Sequence, residues 1–321
     1  MTGLSEDQLE HFEENGFLVV DNLLDIDKDI QPLIDEYKAL LDRLCKHWQV
    51  QGLIQESYRE LPFEKRLVEL FIRGCDYARH MDISLPLGHI KEDSPIHLGD
   101  AVFRLITSPR LLPVVESLIG PDIYSNPIQH VRIKPPSKYI LKHDNVSSLI
   151  TKTDWHQDAA VASEDADNSQ VITVWVAITD ATEENGCLQV VKGSHKHDVS
   201  LHCPHKGPLY IPDVFINDKA IVSAPVRKGG AVILHPKVQH CSLENTSDTF
   251  RWSFDLRYNP IGQATGRSVF PGFVVQSKTR REKPATADEW RQNWLETRHN
   301  LANQNTLTFN RWGKQASELC A

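Results

Sequence analysis

The chain has 321 residues, of which 43 are acidic and 35 are basic, so its formal net charge is −8 and its isoelectric point is near 6.0. This balance argues against a nucleic-acid-binding role, because neutralising phosphates requires a basic surface. No apolar run of about 18 residues is present, so no membrane span is predicted. The polar start is unlike a signal peptide, and we expect a cytoplasmic protein, monomeric or homodimeric.

The first 122 residues carry helical patterns. Residues 5–15 predict a short helix with Ser5 as its N-cap, and Gly16 ends it before an apolar strand. Further apolar residues at helical spacing occur over 27–60, 62–80 and 97–119. This part is therefore expected to be mostly helical.

From residue 123 onward, short strand-like runs alternate with turn residues. The predicted strands are 123–134, 171–179, 187–191, 221–226, 231–235 and 250–258. Asn185-Gly186 predicts a hairpin turn between two of them, and a last helix is predicted over 286–303. We interpret the chain as a single domain, 1–321, with a helical part (1–122), a mainly β core (123–258) and a C-terminal loop and helix (259–321), the helices packing around the β core.

The segment Trp155-His156-Gln157-Asp158 offers metal ligands. If it is a strand, His156 and Asp158 project from one face and Gln157 from the other. Two histidines and one carboxylate on one face of a metal, with open positions opposite, suit non-haem iron(II) oxygenases. The pattern H-x-D occurs widely by chance, so it needs a third ligand.

Two histidines further along can supply that ligand. His235 and His240 lie five residues apart in His-Pro-Lys-Val-Gln-His, and their spacing leaves the choice between them open. His195, His197, His202 and His205 also cluster in the sequence but lack regular zinc-ligand spacing, so a loop of solvated histidines is expected there. The six cysteines form no C-x-x-C pair and are expected to be reduced thiols.

Residues 251–258 alternate strictly between polar and apolar side chains. The apolar face is expected to pack on the helices and the polar face to line the interior. There an arginine suits bidentate binding of a ligand carboxylate. We expect Asp255 to pair with Arg251 or Arg257 and to leave the other arginine for the ligand.

Several motifs, taken in chain order, resemble the phytanoyl-CoA dioxygenase family. They include the opening run 9–20, Gly120-Pro121-Asp122, Lys134-Pro135-Pro136, the metal-ligand segment 155–158, Glu183 to Leu188 and Gly193 to Lys196. The resemblance extends to about residue 258. It implies a double-stranded β-helix (jelly-roll, cupin-like) core and a 2-oxoglutarate-dependent dioxygenase.

The resemblance also assigns site residues. It implies that His240 is the third ligand of Fe(II) beside His156 and Asp158, and that Arg251 binds the 2-oxoglutarate co-substrate. It places Ser242 and Trp175 near 2-oxoglutarate, with His130 as a further candidate contact. With O2, such a site oxidises an unactivated C–H bond, usually by hydroxylation, and releases succinate and CO2. Because Asp158 is present, halogenation is not expected.

The alternatives are a catalytically silent binding protein and a metal-dependent hydrolase or isomerase on the same scaffold. A silent protein is expected to lose a ligand or the arginine, whereas all four positions are filled. The expected substrate is a small metabolite or natural product, with residues 137–154 and 260–283 at the pocket rim.

Overall fold

The computed structural model describes residues 3–140, 147–204, 209–302, 304, 311, 312 and 320. Within them the helices are α1 (Glu6–Asn15), α2 (Gln31–Val50), α3 (Phe63–Ile72), α4 (Ala78–Met81), α5 (Asp100–Ile106), α6 (Leu112–Ile119), α7 (Ser137–Ile140), α8 (Asp158–Val161) and α9 (Ala287–Ala302). The strands are β1 (Phe17–Val20), β2 (Ile123–Lys134), β3 (Ile172–Ala177), β4 (Leu188–Val191), β5 (Cys203–Pro204), β6 (Leu209–Tyr210), β7 (Ile221–Ala224), β8 (Ala231–Leu234), β9 (His240–Ser242), β10 (Arg251–Pro260) and β11 (Phe273–Gln276).

Two antiparallel sheets form the core. The larger has the order β1-β8-β3-β10-β2-β11, and the smaller has the order β7-β4-β9. An apolar cluster that includes Trp175 and Val232 from the larger sheet and Val190 from the smaller one lies between them. The predicted fold class, a mainly β jelly roll with surrounding helices, is confirmed.

The outer face of the larger sheet carries the helices. Trp252 and Phe254 on β10 are buried in the main apolar cluster, where the Tyr37 ring of α2 lies 4.9 Å from the Trp252 ring. The opposite face of β10 presents Arg251 and Ser253 to the interior between the sheets, where Arg251 lines a cavity. The alternation predicted for 251–258 is therefore confirmed. One face of β10 belongs to the apolar core, and the other face lines the candidate site.

Residues that begin and end helices predict the bounds of α1 accurately, whereas long runs of helical spacing do not predict where the longer helices end. Ser5 accepts a hydrogen bond from the Gln8 backbone N–H at the start of α1, and Gly16 ends that helix at a φ of 79°. The pattern over 97–119 is divided between α5 and α6, and the pattern over 27–60 gives a π-helical turn at Ile26–Ile30 and an α-helix from Gln31 to Val50.

The predicted hairpin at Asn185-Gly186 is wrong. Strand β3 pairs with β8 and β10, whereas β4 pairs with β7 and β9, so the turn carries the chain from one sheet to the other. The Asn185 side chain stabilises this crossing by donating to the Asp180 carbonyl oxygen at 2.8 Å. A turn motif reports a change of direction but not which strand becomes the partner.

The prediction of six reduced thiols is wrong for one pair. A disulfide joins Cys203 on β5 to Cys320, across 117 positions of sequence. Cys45, Cys75, Cys187 and Cys241 are free and buried. Neither partner of the disulfide belongs to a recognisable spacing motif, so no local pattern predicts it. Across the described residues, no helix has the length and apolar character needed to cross a bilayer.

Candidate functional site

Two histidines are held together by their backbones. The His156 N–H donates to the His240 carbonyl and the His240 N–H donates to the His156 carbonyl, each at 2.9 Å. Each ring also donates its Nδ1 proton to a nearby carbonyl, at 2.8 Å to Asp154 and 3.1 Å to Val238. Because Nδ1 is the donor, Nε2 of each ring is left as a lone-pair ligand. The ring centroids are 4.2 Å apart.

Asp158 supplies a carboxylate beside these rings. Its Oδ1 lies 3.9 Å from His156 Nε2 and 4.0 Å from His240 Nε2. Arg257 donates to the same oxygen, and the Thr173 hydroxyl donates to Oδ2. Asp158 is the first residue of α8, so the segment 155–158 is not a continuous strand. The two side chains converge because an extended Gln157 precedes the helix.

The electrostatics match what metal ligands require. Burial and the adjacent His240 lower the pKa of His156 to about 3, so this imidazole is neutral at physiological pH. Burial by itself would raise the pKa of Asp158, but Arg257 and the two imidazoles hold it well below its usual range. A neutral imidazole and an ionised carboxylate are the forms that bind a metal ion.

Gln157, the middle residue of the motif, is fixed by a loop that sequence reasoning did not connect to it. Its backbone N–H donates to Nε2 of His202 at 3.0 Å, and its side chain donates to the Lys237 carbonyl at 2.6 Å. His202 is buried, so the expectation of a solvated histidine is wrong at this position. His205 lies outside the described residues.

One group of three potential metal ligands is found in the described part of the chain, namely His156, Asp158 and His240. Their ligand atoms lie within 4.8 Å of one another. His235 is not a member, since its ring packs 5.1 Å from that of His195 and its Nδ1 accepts from the Lys237 N–H. Two imidazole nitrogens and one carboxylate oxygen are a donor set that fits Fe(II).

Arg251 is fully buried at the other end of the same cavity. Its Nη1 donates to Ser253 Oγ at 2.6 Å, and its guanidinium carbon lies 5.0 Å from the centre of the Trp175 ring. Among the described residues, Nε and Nη2 have no hydrogen-bond partner. Burial lowers the pKa of Arg251 to about 10, so it stays protonated at neutral pH. Two free N–H groups on one edge fit a carboxylate.

The expected partner of Asp255 is wrong. Asp255 Oδ2 accepts from Arg132 Nε at 2.6 Å, and not from Arg251 or Arg257. Arg132 lies on β2, diagonal to Asp255 on the neighbouring β10, within reach of a long side chain. Arg257 instead binds Asp158 and donates to the Ile128 carbonyl at 2.8 Å. Of the two arginines on β10, Arg251 is thus the one that has no carboxylate partner among the described residues.

The cavity that contains this site lies between the two sheets. It joins the three potential metal ligands to Arg251, Trp175 and Ser242. His130 does not line it, and the His130 ring instead lies 3.0 Å from the Asp82 carboxylate. The part of the expected rim that spans 141–146 lies outside the described residues.

A second cavity adjoins the first, and Asp158 and Arg257 line both. Its other walls are mainly small and apolar: Ile128, Ala159, Ala162, Ala166, Val171, Val199 and Pro236. Two charged residues on this cavity have partners, since Asp167 pairs with Arg311 and Lys237 with Asp198. The chamber therefore suits an uncharged, compact group.

Comparison with known families and proteins gives a consistent result. The profile of the family described as "Phytanoyl-CoA dioxygenase (PhyH)" matches residues 12–253. The phytanoyl-CoA dioxygenase domain-containing protein 1 of Rattus norvegicus is 29% identical over 299 residues, 87% of this chain and 97% of the relative. Its Danio rerio counterpart is 34% identical over 166 residues, 49% of this chain and 52% of the relative. The peroxisomal phytanoyl-CoA dioxygenase of Bos taurus is 28% identical over 264 residues, 79% and 68% of the two chains.

Solved structures share the fold. The non-heme monooxygenase ThoJ, in its apo form, superposes with a TM-score of 0.57 at 22% identity, covering 92% of this chain and 96% of ThoJ. The epimerase SnoN, in complex with Fe3+, alpha ketoglutarate and nogalamycin RO, gives a TM-score of 0.50 at 19% identity, covering 88% and 93%.

Proposed function

Since the chain belongs to the phytanoyl-CoA dioxygenase family, we propose that it is an Fe(II)- and 2-oxoglutarate-dependent oxygenase that hydroxylates a small molecule. One observation carries the proposal. A single cavity contains a two-histidine, one-carboxylate group and, at its other end, a buried arginine with two N–H groups that lack a partner among the described residues. That combination provides for a metal and for a ligand that carries a carboxylate.

The chain's own residues have distinct roles in this proposal. His156, Asp158 and His240 hold the iron, and Thr173 and Arg257 fix the orientation of the carboxylate. When bound, Fe(II) has open positions for 2-oxoglutarate and O2, and it couples decarboxylation to succinate and CO2 with oxidation of a substrate C–H bond. The complex of SnoN with Fe3+ and alpha ketoglutarate supports the same pair of ligands here.

Arg251 binds the distal carboxylate of 2-oxoglutarate in this scheme. Its free Nε and Nη2 form a planar edge that matches the two oxygens of a carboxylate. Trp175 packs against the guanidinium and limits its rotation, and Ser242 lines the same cavity. Burial strengthens the interaction because little water competes for these N–H groups.

The substrate is proposed to occupy the second, mainly apolar cavity. Its wall includes Asp158, so a group bound there lies next to the proposed iron position. The enclosed alanine-lined volume favours a compact part of a small metabolite or natural product over a macromolecule. Of the possible outcomes, hydroxylation is proposed, because the Asp158 carboxylate leaves no ligand position for a halide.

The test is succinate formation by anaerobically iron-loaded protein supplied with 2-oxoglutarate and O2, without an added substrate. We expect slow, iron-dependent succinate from the wild type and none from His240→Ala. Arg251→Ala should keep its iron but bind 2-oxoglutarate at least about tenfold more weakly, because a charged hydrogen-bond pair is lost. His235→Ala, which changes a histidine outside the ligand group, is the matched control and should resemble the wild type.

Two results would count against the proposal. If the wild type binds neither iron nor 2-oxoglutarate, the silent binding protein becomes the better interpretation. If a metal binds and 2-oxoglutarate does not, a metal-dependent hydrolase or isomerase takes precedence.

A further inference from the structure

Two buried basic side chains lie opposite each other on neighbouring strands at one end of the site. Lys134, the last residue of β2, pairs in register with Arg251, the first residue of β10. Their exposed fractions are 1% and 0%. In the described residues neither side chain forms an ion pair with a carboxylate. Like charges placed directly opposite in an antiparallel pair destabilise it.

Lys134 reaches the cavity through a serine. Its Nζ donates to Ser242 Oγ at 2.7 Å and to the Leu243 carbonyl at 2.9 Å. Ser242 Oγ also accepts from the Thr153 N–H at 2.9 Å. A hydroxyl accepts two hydrogen bonds and donates one, so its acceptor capacity is filled. The Ser242 proton is left to be donated, and Ser242 lines the cavity together with Arg251.

This end of the cavity is short of negative charge. Burial, followed by the charges of Arg251 and Arg132, lowers the pKa of Lys134 to about 5. Asp255 opposes this only weakly, since its carboxylate is paired with Arg132. The remaining titratable neighbour, Cys241, is a buried thiol whose pKa burial raises to about 12, so it is uncharged. At neutral pH Lys134 is therefore mostly a neutral amine, and this form still donates to Ser242 Oγ and to the Leu243 carbonyl.

We propose that Lys134 is a positioning residue for the distal carboxylate of the 2-oxo acid, because its hydrogen bond fixes the Ser242 hydroxyl as a donor beside Arg251. This inference rests on the proposed function, since it assumes that a 2-oxo acid occupies the cavity. The carboxylate then accepts hydrogen bonds from the Nε and Nη2 groups of Arg251 and from the Ser242 hydroxyl. Lys134 itself does not line the cavity, so it acts through Ser242.

Selectivity between co-substrates follows from this arrangement. A 2-oxo acid with a second carboxylate gains both interactions, whereas one that ends in a methyl group gains neither and leaves Arg251 without a carboxylate. 2-Oxopentanoate is the matched probe, because it has the five-carbon chain of 2-oxoglutarate without the distal carboxylate. The ratio of the two dissociation constants therefore isolates the contribution of this end of the cavity.

The experiment measures binding of both acids to Ni(II)-loaded protein by titration calorimetry under anaerobic conditions, so that no turnover is needed. Lys134→Met keeps the length of the side chain and removes its donors. We expect it to weaken 2-oxoglutarate binding roughly tenfold while leaving 2-oxopentanoate within about twofold. Lys138→Met, at an exposed lysine that pairs with Asp248, is the matched control and should change neither constant.

Ser242→Ala provides a second variant in case Lys134→Met does not fold. It should show the same selective loss, and the double variant should lose less than the sum of the single losses, because the two residues act as a unit. Equal 2-oxoglutarate binding by wild type and Lys134→Met would overturn the inference alone. An equal loss for both acids would also overturn it, because it indicates a structural role. Failure of the wild type to bind either acid would overturn the proposed function as well.

Discussion

The carboxylate of Asp158 is held on both oxygens, by Arg257 on Oδ1 and by the Thr173 hydroxyl on Oδ2. All three side chains are buried. A carboxylate fixed in this way keeps one oxygen directed toward the two histidines without losing rotamer freedom when a metal binds. Hydrogen bonds from outer residues to ligating residues commonly change metal affinity by about 10- to 100-fold.

Thr173→Val should therefore weaken metal binding with little change of shape. The substitution replaces the hydroxyl by a methyl group and frees Oδ2, and we expect the affinity for Ni(II) or Fe(II) to fall about 10- to 100-fold. Competition titration against a chelator measures this. Thr107→Val is the control, since within the described part of the chain the Thr107 hydroxyl bonds only to the Phe103 carbonyl of its own helical turn. Unchanged metal affinity in Thr173→Val would show that Arg257 alone orients the carboxylate.

Some site residues can be predicted from the sequence, and others cannot. His156 and Asp158 can be predicted because two potential ligands within three residues form a compact pattern. Strand β10, which carries Arg251, can be predicted because its polar and apolar residues alternate. The ion-pair partners of Asp255 and Asp158 cannot be predicted in this way. Strand register and a bulge in β10 bring Arg132 to Asp255 and Arg257 to Asp158. Which cation neutralises which carboxylate is decided between strands, and one sequence does not encode it in a local pattern.

At the scale of elements, α8 contributes to the walls of both cavities. It begins at Asp158, which lines both, and its Ala159 together with Ala162 just beyond it forms part of the apolar wall. Small side chains leave the volume beside the metal ligand open. The H-x-D pattern in the sequence gives no sign of the helix that begins at its aspartate.

Val199→Trp should fill the second cavity without disturbing the first. Val199 is half-buried on the connection that follows β4, so a larger side chain can enter the chamber from the loop. We expect binding of cyclohexanol, followed by saturation-transfer NMR, to weaken at least about tenfold, while 2-oxoglutarate affinity and slow succinate formation stay unchanged. Val199→Ala is the matched control and should keep cyclohexanol binding. Equal binding by Val199→Trp would place the apolar probe elsewhere.

At the scale of the whole molecule, the C-terminal residues are tied back to the β core. Cys320 is bonded to Cys203, and Trp312 stacks on His202 with ring centroids 5.3 Å apart. Trp312 also donates to the Ala160 carbonyl at 3.2 Å. The contacts and the disulfide thus join the end of the chain to the loop that fixes Gln157. That the whole chain is one domain stays a prediction.

Cys320→Ser should lower the free energy of unfolding by about 2–4 kcal/mol, because the disulfide closes a long loop and restricts the unfolded chain. Urea denaturation of the wild type, with and without dithiothreitol, measures the same difference without a mutation. Cys320→Ser is its own control, since the reductant should leave that variant unchanged. A wild type that is insensitive to dithiothreitol would show that the bond contributes little to stability.

The reciprocal backbone hydrogen bonds between His156 and His240 have a consequence for ion selection. The two imidazoles are attached to peptide units that are locked to each other, and each ring is also tethered through its Nδ1 to a carbonyl. Their separation is therefore set by the backbone and not by freely rotating side chains. An ion of larger radius must stretch these backbone bonds in order to lengthen its own bonds to nitrogen. The rigid two-sheet core therefore favours ions of one size, and this rigidity adds to the discrimination that ligand chemistry provides.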